Sequence, residues 1–417
     1  MRIFTCAHCH NTVFFENVRC MDCGQALAYF PDQRLVTSIE PLSAPDATAA
    51  QTKSGAAASN APMLYRAGDK SIQGTYRVCA NSAAYGVCNS AVPADDPEEL
   101  CEACRLNDVI PELSDQDTLK AWQSLERAKR RLLFSLHELD LPIESRATRQ
   151  NGLQFSFMRD QPDVKVFTGH NDGLITINVA EADDPLREKF RKQMGESYRT
   201  VLGHFRHEVG HYYWDRLVKD SVWLAACRAL FGDETADYAA SVQRHYQQGA
   251  PSDWPQHYVS PYATMHPWED WAETWAHYMH LVDTLETAQT YGLVLRPKPV
   301  GGPSGASVSV RALNLHDFDE MLTAWVPLTV ALNSLNRSMG IMDPYPFVLC
   351  DEVIDKLRFV HDVIQQWNAA TAQETAAQWS AKISKRVAQQ QKARPAQAPQ
   401  PQQAPQPQVR AAQNAAR

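Results

Sequence analysis

Residues 207 to 211 read His-Glu-Val-Gly-His. Residues four apart share a face of an α-helix, so His207 and His211 can each turn a ring nitrogen toward one metal ion. Glu208 then flanks that ion, where a carboxylate can take a proton from water. Two neutral imidazoles, a Lewis-acidic ion and a carboxylate base are the parts of a hydrolytic metal site. Random placement of 14 histidines and 48 acidic residues would give the pattern His-acid-x-x-His about 0.05 times in such a chain. The bland alternative is a solvated polar helix face.

A catalytic zinc needs a third protein ligand and an open fourth position. The stretch "SPYATMHPWEDWAETWAHYMH" (260–280) offers Glu269 and Glu273 four apart on one helix face. One carboxylate can bind the ion while the other holds a ligand imidazole through its second nitrogen, fixing the tautomer. Asp270 faces elsewhere. His266, at the turn before Pro267, is a further candidate ligand, whereas His204, His277 and His280 read as packing or supporting residues.

Ten cysteines are present, eight of them before residue 105. Cys6-x2-Cys9-x10-Cys20-x2-Cys23 is a pair of knuckles that together close a tetrahedral site, a structural zinc. A redox role would need one pair and leave the second unexplained. Cys79-x8-Cys88-x12-Cys101-x2-Cys104 has one tight knuckle and reads as a second structural zinc. Neither set leaves a position open for chemistry, and in so short a segment the metal supplies much of the folding free energy. Cys227 and Cys350 read as core thiols.

The elements that must hold these groups can be read from periodicity. Ser114-Asp115 can cap a helix in which Leu119, Trp122, Leu125, Leu132, Leu133, Leu136 and Leu139 recur at helical spacing up to Pro142. Residues 173–183, "GLITINVAEAD", alternate like a strand. Segments 196–219, 267–288, 315–340 and 350–368 read as helices, the third kinked or split by Pro327. The aromatics around the motif, Tyr212, Tyr213, Trp214, Trp268, Trp271, Trp275 and Tyr278, read as core at helical spacing, with a pocket lining as the alternative.

The fold class is therefore α+β, mostly helical. Residues 1–40 form a zinc ribbon, 41–70 a flexible linker poor in large apolar residues, 71–113 the second four-cysteine segment, 114–376 the main domain and 377–417 a disordered Pro/Gln/Ala-rich tail. With 44% hydrophobic and 21% charged residues among 417, the chain can bury a sizeable core. No signal-peptide core and no run of about 18 apolar residues occurs, so the expectation is a cytoplasmic protein with no membrane partner. The net charge is −8, and residues 1–113 hold 8 Lys+Arg against 13 Asp+Glu. That balance argues against nucleic acid as a partner, because phosphate binding rests on basic side chains.

The segment HEVGH followed by Tyr262-x6-Glu269-x3-Glu273 resembles the gluzincin metallopeptidases, in particular the lethal-factor type. That resemblance implies Glu269 as the third zinc ligand, Glu273 as a hydrogen-bonding partner of the site and Tyr262 as a donor to the tetrahedral oxyanion. A wider set of segments is similar to the bacterial zinc-binding metallopeptidase family Peptidase Mx: "RVCAN…VCN…VPADDP…LCEACRLNDVIPELSD", "GLITIN", "GHFRHEVGHYYWDRLV" and "HPWEDWAETWAHY", after an N-terminal zinc ribbon. It implies a zincin-like domain over 114–376 and a zinc-dependent hydrolase acting on a peptide or protein, with Glu208 as general base. In zincins an edge strand usually precedes the active-site helix, so 173–179 is expected either to take an extended substrate or to be ordinary sheet core. Rival readings are a catalytically silent zinc-ribbon adaptor and a zinc hydrolase of an isopeptide or side-chain amide. Oligomeric state is not legible.

Overall fold

The structure is a computed structural model that describes residues 2–42, 63–194, 199–298 and 307–393. Two short strands, β1 (Phe4–Thr5) and β2 (Thr12–Val13), pair antiparallel and present the first knuckle. A five-stranded antiparallel sheet follows, in the order β3 (Leu27–Phe30), β4 (Leu35–Pro41), β5 (Tyr65–Ala67), β6 (Tyr76–Val78) and β7 (Ala91–Pro93). Short helices α1 (Ala80–Tyr85) and α2 (Glu102–Arg105) flank its last strand. Both four-cysteine sets thus belong to one sheet-built unit. Of the expected linker 41–70, residues 43–62 lie outside the described residues. The end of that range is a strand, because Ile39 pairs with Ala67 and Pro41 with Tyr65.

Helix α3 (Gln116–Glu138) starts where its cap was expected, the Asp115 carboxylate accepting from Thr118 N at 2.7 Å. One face meets the ribbon through Phe134, whose ring lies 5.0 Å from that of Phe15 and 6.1 Å from that of Tyr29. Another buries Trp122, Leu125, Leu132 and Leu136 in the main core. Glu126 and Lys129 are fully buried there, 2.9 Å apart, and Asn107 donates to Glu126 at 2.7 Å. A buried ion pair needs such added hydrogen bonds to offset desolvation. They also tie the helix to the strand carrying Asn107.

That strand, β8 (Asn107–Val109), lies at one edge of a four-stranded sheet in the order β10 (Gly169–Asn171), β11 (Leu174–Asn178), β9 (Gln154–Met158), β8. β8 and β11 run parallel to β9, while β10 is antiparallel to β11. The strand expected over 173–183 is present but short, and it does not form the edge. It is paired on both sides, and the edge near the active-site helix is β10. The two-residue turn Asp172-Gly173 (φ 50° and 85°) returns the chain from β10 to β11, the positive dihedrals of a tight hairpin. A Cβ at Gly173 would lie 2.4 Å from the Gly152 carbonyl oxygen, so glycine is required twice over.

The remaining body is helical: α4 (Asp184–Met194), α5 (Val201–Leu217), α6 (Leu224–Phe231), α7 (Tyr238–Gln248), α8 (Pro267–Thr290), then a small hairpin of β12 (Val294–Leu295) and β13 (Val308–Ser309), and α9 (Phe318–Ser338), α10 (Asp351–Gln366) and α11 (Ala372–Ala393). α6 and α7 had no counterpart in the periodicity. Pro327 neither splits nor ends α9, because one missing N–H is outweighed by burial of Met321, Ala324, Trp325 and Leu328 on either side. Of the tail expected over 377–417, residues 377–393 belong to α11. Trp379 is buried, its ring 5.5 Å from that of Phe359, and its Nε1 donates to Asp362 at 2.7 Å. Residues 394–417 lie outside the described residues.

Candidate metal centres and the catalytic site

Helix α5 is capped by Thr200, whose Oγ1 accepts from Gly203 N at 3.0 Å, and is buried on all sides from Phe205 to Trp214. Its closest partner is α8. Gly210 sets their spacing, because a Cβ there would come within 3.1 Å of the Trp275 side chain. Trp271 Nε1 donates to the Gly210 carbonyl at 2.9 Å, sealing the contact. A buried helix that carries His-Glu-x-x-His is not a solvated polar face.

The close approach brings three ligand atoms together. One atom each from His207, His211 and Glu269 lies within 4.8 Å of the others. Glu269 Oε2 sits 3.0 Å from His207 Nε2 and 3.5 Å from His211 Nε2. Tetrahedral ligands at about 2.1 Å from zinc are separated by about 3.4 Å, so the spacing fits that ion. The electrostatics fit as well. Burial disfavours charge on His207, yet the adjoining Glu269 and Glu273 carboxylates outweigh it and hold the ring's pKa well above the usual histidine range. Burial opposes ionisation of Glu269 too, and the two imidazoles hold its carboxyl well below the usual range.

Glu273 does not join the triad. Its Oε1 lies 2.8 Å from His207 Nδ1, and its Oε2 accepts from Ser260 Oγ at 2.6 Å. The Nδ1 proton of His207 is thereby engaged and Nε2 is left to face the ion. Burial also works against ionisation of Glu273, but the His207 contact keeps its carboxyl low. Glu208 is buried one residue after His207, and among the described residues its carboxylate has no hydrogen-bond or ion-pair partner. The Tyr262 ring lies 5.9 Å from that of His207, and burial, with Glu269 and Glu208 nearby, pushes its phenol well above the usual range. It stays protonated as a donor.

The other histidines are placed elsewhere. His266 caps α8: its Nδ1 accepts from Trp268 N at 3.1 Å and its Nε2 donates to the Ala236 carbonyl at 3.0 Å. With both nitrogens engaged it is no ligand. His277 meets Tyr345 OH at 2.8 Å, His280 meets Arg206, and His204 lies 3.3 Å from Glu181. Asp270 pairs with Lys356 at 2.6 Å on another face. Tyr212, Tyr213, Trp271, Trp275 and Tyr278 are core, whereas Trp268 covers His211 with ring centroids 3.9 Å apart. Periodicity missed three neighbours of the triad: Tyr238, Ser260 and His170. His170 stands on β10 with its ring 6.3 Å from that of His211. Only Ser260 carried any signal, its nearness to Tyr262.

Each four-cysteine set is equally compact, its four Sγ atoms all within 4.8 Å of one another. Cys6–Cys23 at 3.8 Å, Cys9–Cys20 at 3.6 Å and Cys88–Cys101 at 3.5 Å match the roughly 3.8 Å edge of a tetrahedron with 2.3 Å zinc–sulfur bonds. The sets do not exchange members. Backbone N–H groups of Ser90 and Cys101 reach Cys88 Sγ and Cys79 Sγ at 3.3 Å, contacts that favour thiolate. Cys227 is buried among apolar residues, while Cys350 is half-buried and donates to the Gln256 carbonyl at 3.1 Å.

Residues 118–363, from α3 through α10, match the model of a family described as "Putative zinc-binding metallo-peptidase", Peptidase Mx. The chain belongs to this family. Residues 3–115 of this Peptidase Mx chain match a single zinc-ribbon model that spans both four-cysteine sets. One protein of Mycobacterium bovis and two of Mycobacterium tuberculosis strains, each carrying the name "Uncharacterized protein", are 40% identical to it over 368 residues. Those alignments cover 88% of this chain and 96% of each relative. No solved structure matches it significantly. Among the described residues, no helix of this family member is long and apolar enough to cross a membrane.

Proposed function

We propose that this Peptidase Mx protein is a gluzincin-type hydrolase of peptide bonds, with one catalytic zinc held by His207, His211 and Glu269 and one structural zinc in each four-cysteine set. The observation that carries the reading is the convergence of two imidazole Nε2 atoms and one carboxylate oxygen beside a buried, unpartnered Glu208. Zinc bound there would supply Lewis acidity toward a scissile carbonyl and toward water.

The chain's own residues do the rest. Glu208 accepts the proton of the attacking water and returns it to the leaving amine. Tyr262 donates its hydroxyl to the oxygen on which negative charge develops. Glu273 fixes the His207 tautomer through Nδ1. An extended peptide pairs along β10, the edge strand that carries His170 beside His211, in place of the interior strand β11. Cytoplasmic location and a peptide or protein partner remain part of this proposal.

Glu208→Gln is the test. It keeps the shape of the side chain and removes the base, so zinc content should match wild type while peptide hydrolysis falls by a factor of about 100 or more. Full hydrolysis by that variant would remove Glu208 from the mechanism. A wild-type protein carrying only two zinc ions would remove the catalytic metal and leave the adaptor reading in its place.

A further inference from the structure

Helix α7 touches the triad through its first residue and is a poor packing element. Of its eleven residues only Ser241 is buried, and the chain enters it through the capping residue Asp237 and leaves it through Gly249 at positive φ. A helix with so little apolar burial gains little from the core. One polar contact links it to the chemistry. Tyr238, its first residue, donates its hydroxyl to Glu269 Oε1 at 2.9 Å, and its ring rests edge-on against His266 (5.2 Å) and Trp268 (6.3 Å). Oε1 is the Glu269 oxygen that does not face the imidazoles; Oε2 does.

We infer that Tyr238 is a positioning residue for the metal ligand Glu269. By occupying Oε1 it leaves one oxygen for the ion, so the carboxylate binds through Oε2 alone and the remaining coordination position stays open to substrate. Tyr238 acts on Glu269 as Glu273 acts on His207: in each of these two ligands the second polar atom is engaged from a different element. The two tyrosines near the site then have separate tasks, with Tyr262 facing the reacting oxygen and Tyr238 facing the ligand. This inference rests on the His207, His211, Glu269 reading of the metal site.

Tyr238→Phe in the full-length protein tests it, since it removes only the hydroxyl. The readout is zinc affinity, measured by competition with a chelating dye of known zinc Kd, together with the thermal midpoint of zinc-loaded and zinc-stripped protein. Loss of an outer hydrogen-bonding partner commonly weakens metal binding by a factor of about 10 to 100. The expected result is a loss of that size at one of three zinc ions, with the other two unchanged and a smaller rise in midpoint on zinc binding. If three zinc ions bind as tightly as in wild type while both midpoints fall together, Tyr238 serves only to anchor α7 and the inference is overturned. A wild type that binds no third zinc instead defeats the underlying metal-site reading, so the two failures are distinguishable.

Discussion

His207 Nδ1 lies 2.8 Å from Glu273 Oε1, while His207 Nε2 lies 3.0 Å from Glu269 Oε2. One imidazole therefore bridges two carboxylates that stand one turn apart on the same helix. The arrangement divides labour between acids of identical chemistry by geometry alone: one oxygen reaches the metal position, and the other orients the ring that reaches it.

Glu273→Gln tests that division. The amide can still accept from Ser260 or face His207, but it does not favour the Nδ1–H tautomer by charge, so zinc affinity should fall by about 10- to 100-fold with the zinc ion still bindable at high concentration. Glu269→Gln should be worse, with the third zinc lost outright. Elemental analysis after dialysis against a graded zinc buffer measures both, and equal losses in the two variants would contradict the assignment.

Gly210→Ala addresses the spacing of α5 and α8. The added methyl would stand 3.1 Å from Trp275, a fully buried residue that has no room to withdraw. Overpacking of this kind costs about 1–3 kcal/mol, and because the two helices carry the ligands, zinc affinity should drop along with the melting temperature. A variant with lowered stability and unaltered zinc binding would show that the helices move together without disturbing the triad.

Acid sensitivity follows from buried neutral histidines. His361 accepts from Tyr278 OH at 3.0 Å and donates to the His316 carbonyl at 3.3 Å, and burial pulls its pKa down to about 4. Its unfolded value is near 6.5. Between pH 6.5 and 4 the unfolded chain binds a proton that the folded chain does not, so stability falls as pH falls through that window, by up to about 1.4 kcal/mol per pH unit for one group. His277, lowered to about 4 by burial, acts in the same direction. Chemical unfolding at pH 7 and pH 5.5 should show a smaller acid loss for His361→Gln than for wild type, and an equal loss would assign the effect to other groups.

Much of the site was legible because its information is local. The His207–His211 spacing, the cysteine knuckles and the Asp115 cap each lie within a few residues, so sequence spacing alone places their members together. Glu269 could be nominated but not separated from Glu273 by spacing, since both lie on the same face; only the approach angle of α5 decides which one reaches the ion. Tyr238 was invisible for a similar reason. Its partner is 31 positions away, and it sits on a helix of which only Ser241 is buried. Whether 173–179 is an edge or sheet core was left open because alternation marks a pleated segment without saying how many neighbours it has. The expected tail overlaps α11, where Trp379 and, one turn on, Ile383 pack against the core from an otherwise polar run.

The antiparallel pairing of β4 with β5 means that residues 43–62 are spliced between adjacent strands of one sheet. The hydrogen bonds between β4 and β5 that join the two halves of the ribbon are made by residues on either side of that splice. Each half also gathers its own four-cysteine set, so on the proposed zinc reading each would have a metal to hold its shape. A protein cut within the splice would be held together as two noncovalently associated pieces, and separately synthesised pieces 1–42 and 63–417 could reassemble.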